Sequence, residues 1–173
     1  EAIERMGTES QKAEWLPRAV EGANIAFALT EPGSGSDAAA LRTAAVRDGD
    51  VFVLNGSKVF ITGAAVADVI ITAVRTSSEG KKHDGITLML VDPRTPGVEI
   101  RKLSKMGLKG IDLCEIFFDG ARIPESAVLG AVDEGWVGLT PGLAKERMLL
   151  AALSVGALQD LLGGQTPIMF DNM

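Results

Sequence analysis

Between Leu41 and Leu129 the chain consists almost entirely of strand-length apolar runs, separated by turn residues and never by a helix-length segment. The runs are Val51-Phe52-Val53-Leu54, Val59-Phe60-Ile61-Thr62, Val69-Ile70-Ile71-Thr72-Ala73-Val74, Ile86-Thr87-Leu88-Met89-Leu90-Val91, Val98-Glu99-Ile100-Arg101 and Leu113-Cys114-Glu115-Ile116-Phe117-Phe118. Consecutive parallel strands need a crossover of a dozen or more residues, usually a helix, and too little helix separates these runs to supply one. The pattern predicts an antiparallel sandwich or barrel. Asp48-Gly49 and Asn55-Gly56 are the strongest hairpin markers, because glycine takes the positive φ of tight turns that match strand twist.

Helical signals flank this β region. Thr8-Glu9-Ser10-Gln11 fits a capping box, so a helix is expected from about Glu9 to Val20, with Trp15, Leu16 and Val20 on one face and Pro17 as a point of kinking. Ile25 to Thr30 has the length and character of a strand and is stopped by Pro32-Gly33. After Gly135 the pattern turns helical again, with Leu143, Arg147, Leu150, Ala151 and Leu153 in a segment that stays apolar to Leu162. Pro141 belongs in its first turns or at a bend, and Gly163-Gly164 ends it. This helix should pack under the β unit or against a partner. The fold class expected is α+β, an antiparallel β sandwich or barrel flanked by helices.

The chain has 173 residues, with 17 Lys and Arg against 23 Asp and Glu, a formal net charge of −6. Such a balance offers no basic face to a phosphate backbone, so nucleic acid is not an expected partner. Cys114 and His83, each the single residue of its kind, exclude an internal disulfide and a His/Cys metal cage, and no metal is expected. The least charged stretch, Met148 to Leu158, is far shorter than the ~20 residues of a membrane-spanning helix. Glu1-Ala2-Ile3-Glu4-Arg5 lacks a secretory pattern, which makes a cytoplasmic protein the expectation. The chain opens at Glu1 rather than Met and is read as a portion of a longer protein. His83, in the polar run Glu79 to Asp84, reads as a solvated loop residue, and Cys114 as a small buried hydrophobe.

Gly33-Ser34-Gly35-Ser36-Asp37-Ala38 matches the G-x-G-x-x-G/A pattern of dinucleotide-binding loops. The context does not: Glu31-Pro32 separates the strand from the first glycine, and only Ala38 to Ala45 is available before the Asp48-Gly49 turn. That leaves no crossover helix to receive a pyrophosphate. Two readings remain open for this loop. It is a flexible turn, or its hydroxyls and amides, around Thr30, Ser34 and Ser36, bind an anion or a heterocycle.

Six segments, in order, resemble one family. Phe27-Ala28-Leu29-Thr30-Glu31-Pro32-Gly33-Ser34-Gly35-Ser36-Asp37 resembles the signature that opens the middle domain of acyl-CoA dehydrogenases. Asn55-Gly56-Ser57-Lys58-Val59-Phe60-Ile61-Thr62-Gly63 is similar to the family's N-G-x-K-x-W/F-I-T-N/G segment. Thr95-Pro96-Gly97-Val98, Lys105-Met106-Gly107-Leu108-Lys109-Gly110, Phe117-Phe118-Asp119-Gly120-Ala121-Arg122-Ile123-Pro124 and Lys145-Glu146-Arg147 follow in family order.

The resemblance implies three parts of a three-domain flavoenzyme. Residues 1–22 would end an N-terminal helical domain, 23–132 would form a middle β-barrel that binds FAD and acyl-CoA, and 133–162 would be the first helix of a C-terminal bundle, with 163–173 an atypical tail. FAD would be held by residues matching Phe27, Leu29, Thr30, Gly35, Ser36, Phe60, Ile61 and Thr62. Thr30 would bond the flavin pyrimidine side, the Thr62 hydroxyl would reach N5, and Phe60 would cover one flavin face where many relatives carry Trp. Phe keeps the stacking surface and loses the indole N–H. Ser36 and the Lys145-Glu146-Arg147 run would contact the acyl-CoA, and an acidic residue that some relatives have three positions before the Arg is Ala144 here.

The activity implied is α,β-dehydrogenation of an acyl-CoA thioester, in the setting of fatty acid metabolism. A carboxylate removes the α-proton while the β-hydrogen leaves as hydride to flavin N5. In the isovaleryl and long-chain subfamilies the base lies at the position matching Glu146; in most others it lies in the C-terminal bundle. Glu146 is therefore either that base or a helix-surface carboxylate. The resemblance also implies an electron-transferring flavoprotein as acceptor and a homo-oligomer. A flavin-dependent monooxygenase on the same scaffold and a non-catalytic flavin or acyl-CoA binding module are the alternatives. The stretch from Asp160 to Met173 instead resembles periplasmic tricarboxylate-type solute-binding proteins.

Overall fold

The computed structural model describes residues 1–107 and 109–163. The chain divides into two compact units, the first running from Glu1 to Gly138 and the second from Leu139 onward. The first holds helices α1 (Ala2–Met6) and α2 (Glu9–Val20) and strands β1 (Ile25–Ala28), β2 (Ala44–Asp48), β3 (Val51–Thr62), β4 (Val69–Arg75), β5 (Ile86–Val91), β6 (Val98–Lys102), β7 (Leu113–Pro124) and β8 (Val128–Leu129).

The expected capping box starts α2. The Thr8 hydroxyl accepts a hydrogen bond from the Gln11 amide at 3.2 Å, and the Gln11 side-chain oxygen accepts one from the Thr8 amide at 3.0 Å. The same Gln11 donates its side-chain N–H groups to the carbonyls of Ser126 and Val128, both at 2.9 Å, which fixes α2 beside β8. Pro17 stays inside the helix. Trp15 is buried as expected, but Val20 is 89% exposed and does not share its face, because it is the last residue of the helix, beyond the reach of the sheet.

Among the described residues the strands form one sheet in the order β6-β7-β3-β2-β4-β5-β8, with β1 added beside β4. The helix-poor α+β composition is as read, yet the sheet is neither purely antiparallel nor closed into a barrel. β1 runs parallel to β4, with Ile25 opposite Val69 and Ala28 opposite Thr72, and β2 meets β4 in parallel at Ala44 and Arg75. The crossover rule applies to strands that follow each other in the chain. Here the β2–β3 hairpin lies between β1 and β4, and it supplies the long return path that no helix provides.

The β2–β3 hairpin turns at Asp48-Gly49, as expected, with Gly49 at φ +64°. Asn55-Gly56 does not turn the chain. It lies inside β3, where the register with β7 shifts between Leu54 and Asn55, and Gly56 sits at φ +144°. The extra residue of this β-bulge is Gly120 on β7, at φ +64°, whose amide donates to the Asn55 side-chain oxygen at 2.9 Å. Two runs that read as separate strands are therefore one bent strand.

β4 and β5 are covered on both faces, which explains why they read as continuous apolar runs rather than alternating ones. Ile70 and Val74 point into a core with Phe52, Leu54, Ile61, Met89 and Ile116, while Val69, Ile71 and Ala73 point into a second with Trp15, Leu41, Leu88 and Leu129. Cys114 is fully buried in the first core, as expected. His83 is an exposed loop residue whose ring lies 4.6 Å from that of Trp136.

Helix α3 runs from Gly135 to Gly163 with Pro141 inside it. Along its second half Leu149, Leu150, Leu153, Leu158 and Leu161 are all more than half exposed. No helix among the described residues is long and apolar enough to cross a membrane. Residues 164–173, and with them most of the stretch likened to solute-binding proteins, lie outside the described residues.

Candidate functional site

The glycine-rich loop is a tight turn with a short continuation. Glu31 and Ser34 exchange backbone hydrogen bonds of 3.0 Å in both directions around Pro32-Gly33, and the Ser34 hydroxyl donates to the Asp37 carbonyl at 2.7 Å. A single 3-10 turn, Ala38–Ala40, follows. The loop thus lacks the helix N-terminus that a Rossmann pyrophosphate site requires. A Cβ on Gly33 or Gly35 would meet nothing within 4 Å, so this rim faces open space.

The second wall comes from the end of β3. A further register shift between Lys58 and Ile61 leaves Phe60 outside the ladder at φ +61°. A bulky residue in this region is an outlier, and such strain collects at functional positions. Its consequence is visible in burial: Ile61 points into the core at 2% exposed, while the Phe60 ring is 62% exposed and Thr62 is exposed beside it. Sequence offers no signal for this, because phenylalanine ordinarily avoids positive φ.

The two walls are joined directly. The Val59 amide donates to the Thr30 carbonyl at 2.9 Å, so the exit of β1 lies against the bulged end of β3. Leu29 and Thr30 are thereby brought together with Phe60, Ile61 and Thr62. Phe27 is half-buried and packs against the second core, and Gly35 and Ser36 lie exposed beyond the turn. The side chains of Thr30, Ser36 and Thr62 make no hydrogen bond among the described residues. An exposed aromatic ring flanked by uncommitted hydroxyls and loop amides can stack on a planar heterocycle and hydrogen-bond its edge.

Beneath this surface lies an ion pair that the sequence did not reveal. The Lys58 ammonium, fully buried, sits 2.8 Å from Glu31 Oε1 and 3.1 Å from the Leu29 carbonyl. Glu31 also accepts from the Arg42 amide at 2.6 Å and the Thr43 amide at 2.9 Å. Burial pushes the Lys58 ammonium down to about 8, against the opposing pull of Glu31. Burial alone would raise the Glu31 carboxyl, but the Lys58 charge and the hydrogen bonds from Lys58 and Thr43 hold it below its ordinary value. Lys58 stands an even number of residues along β3 from the buried Phe52 and Leu54, so the period-two alternation of the strand turns it inward.

Lys145, Glu146 and Arg147 lie on α3 in the second unit, and all three are exposed. Glu146 forms no ion pair among the described residues. The positions three and four away, Gly142, Leu143, Leu149 and Leu150, carry no cation that could take it up.

Residues 26–121 match the family model described as the middle domain of acyl-CoA dehydrogenase. The long-chain specific acyl-CoA dehydrogenase of Sus scrofa mitochondria is 44% identical over 158 residues, covering 90% of this chain and 37% of the relative. Among solved structures, an acyl-CoA dehydrogenase from Geobacillus kaustophilus superposes with a TM-score of 0.84 at 43% identity, covering 87% of this chain and 40% of that one. A glutaryl-CoA dehydrogenase from Mycobacterium smegmatis, solved in complex with FADH2, superposes with a TM-score of 0.70 at 40% identity, covering 78% and 34%. The chain thus spans about two fifths or less of the length of these relatives. With more than half of its residues matched to the family model, the chain belongs to the acyl-CoA dehydrogenase family.

Proposed function

We propose that the protein acts in the flavin-dependent α,β-dehydrogenation of an acyl-CoA thioester, with this chain supplying the flavin- and acyl-CoA-binding middle part. The observation that carries the reading is the exposed Phe60 ring, held at a strained backbone angle next to Thr62 in a strand end that lies against the Thr30 segment. The domain limits taken from the resemblance, 1–22, 23–132 and 133–162, belong to this proposal.

The residues present fit FAD. Phe60 offers a stacking surface, Thr30 and Thr62 offer hydroxyls with no competing partner, and the open rim at Gly33 and Gly35 leaves room for close approach. Bound FAD supplies the hydride-accepting chemistry. Phe27 and Leu29 support the wall, Ile61 anchors it in the core, and the Gly35-Ser36 loop meets the thioester substrate. Glu146 is the proposed base that takes the α-proton, with Lys145 and Arg147 beside it on α3 for substrate contact. The absence of any cation within helical reach favours this role over that of a paired surface carboxylate. An electron-transferring flavoprotein as acceptor, self-association and cytoplasmic placement complete the proposal; relatives named mitochondrial set the alternative placement, which fractionation of cells making the full-length protein decides.

The test is an absorbance spectrum of the chain incubated with FAD and desalted, recorded before and after adding a short and a long acyl-CoA. Retained flavin that bleaches supports the whole reading. Retained flavin that does not bleach leaves the binding surface and removes Glu146 as base, and a protein that retains no flavin sinks the proposal.

A further inference from the structure

Glu31 and Lys58 take no part in the chemistry above, yet they occupy the joint between the two walls of the site. Three separate segments meet on this one pair. Lys58, from β3, reaches the Leu29 carbonyl at the exit of β1, and Glu31, from the same exit, gathers the Arg42 and Thr43 amides at the entrance to β2. The Val59–Thr30 backbone bond lies immediately beside it.

Stability alone does not account for such a pair. Desolvating two charges is expensive, and well-packed apolar side chains of similar volume often replace a buried ion pair without loss. What apolar side chains cannot do is bind one carbonyl and two amides in fixed directions. Without the pair, these three backbone groups would lose partners in a buried region, and the two walls would be free to shift relative to each other. The residues flanking the pair on one side are Leu29 and Thr30, and on the other Val59, Phe60 and Thr62. Phe60 stands only two residues from Lys58, and its unfavourable φ must be held by its surroundings.

We infer that Glu31 and Lys58 are positioning residues of the flavin surface, clamping the Thr30 segment to the Phe60–Thr62 segment so that the cofactor meets a preformed edge. This rests on the flavin reading given above. Preorganisation of this kind acts by sparing the binding event the ordering of two loops.

The clamp is tested in the full chain with the charge-free double variant Lys58→Met/Glu31→Gln, whose glutamine keeps one carbonyl acceptor for the amides. Amide hydrogen exchange of the cofactor-free protein, FAD affinity and the visible spectrum of the bound flavin are compared with wild type. The expected result is normal protection of the β4 and β5 amides, faster exchange at Val59 and Thr43, a loss of FAD affinity of about tenfold or more, and an altered flavin band. Unchanged Val59 exchange, or loosened exchange with unchanged FAD affinity and spectrum, overturns the inference. Failure of the wild-type chain to take up FAD overturns the flavin reading, and the inference with it, which separates the two failures. Where the double variant does not fold, Glu31→Gln alone is read by the same exchange and binding measurements.

Discussion

A methyl group placed on Gly56 would lie 2.7 Å from Thr43 Cα and 2.8 Å from its hydroxyl, so β3 at Gly56 closes directly onto the residue whose amide binds Glu31. Thr43 is itself buried at 1% exposed and donates its hydroxyl to the Ser57 carbonyl at 3.2 Å. Neither backbone can retreat without breaking that bond. At φ +144°, moreover, no side chain is comfortable.

Gly56→Ala is therefore expected to destabilise the first unit by about 2–4 kcal/mol, combining backbone strain with overpacking. Urea unfolding monitored by the fluorescence of Trp15 and Trp136 gives the number. A loss below about 0.5 kcal/mol, the range of an ordinary surface change, would mean that the two segments do not meet so closely.

Gly56 also shows where sequence reading stops. Strand-length apolar runs between turn residues locate β1 and β3 to β7, and the capping box at Thr8 and Gln11 marks the start of α2, because these depend on neighbours a few residues away. Whether Asn-Gly turns the chain or runs on through a strand depends on what lies across the sheet, here Gly120 on β7 and Thr43 ahead of β2. The parallel pairing of β1 with β4 is set over forty residues and left no local mark. The candidate site was legible as motifs, in Thr30, Phe60 and Thr62. The buried pair beneath it was not, because Glu31 and Lys58 are residue types that ordinarily face solvent, and only the meeting of the β1 exit with β3 gives each charge its partner.

The same pair sets a pH dependence with two arms. Glu31 is held below its ordinary value of 4.5 in the folded state, so its contribution to stability is present above that pH and is lost as the pH falls through the folded value. Lys58 is lowered from 10.5 to about 8, so between those values the unfolded chain binds the proton more tightly and stability rises with pH. The groups that act on Lys58 are Glu31 and the more distant cation of Arg75. Melting temperatures of wild type, measured relative to Lys58→Met/Glu31→Gln, are expected to fall below about pH 4.5 and to climb from pH 8 toward 10.5. A flat difference across both windows would show that neither group titrates as the geometry demands.

Phe60 should trade stability against binding. Its ring is mostly exposed, so removing it forfeits little burial, whereas asparagine accepts positive φ with much less strain. Phe60→Asn is expected to stabilise the cofactor-free chain by about 1 kcal/mol and to weaken FAD binding through the lost stacking surface. Phe60→Trp keeps the ring and should retain FAD. Thermal melting and FAD titration are read together. An asparagine variant that melts lower than wild type would show that the strain at Phe60 is not relieved by a tolerant residue.

Glu146 carries the catalytic part of the proposal. It is exposed on α3, with no cation three or four positions away, and so is available to a substrate rather than committed to a partner. Glu146→Gln keeps the shape and removes the base. In the full-length protein loaded with FAD, the variant should bind acyl-CoA with little change while the rate of flavin bleaching falls by about 10²–10⁴-fold, the usual worth of a positioned general base. Stopped-flow absorbance separates the two effects, since binding and bleaching are read from the same trace. Bleaching at the wild-type rate would move the base out of this chain and leave the middle part as a binding surface for chemistry completed elsewhere in the protein.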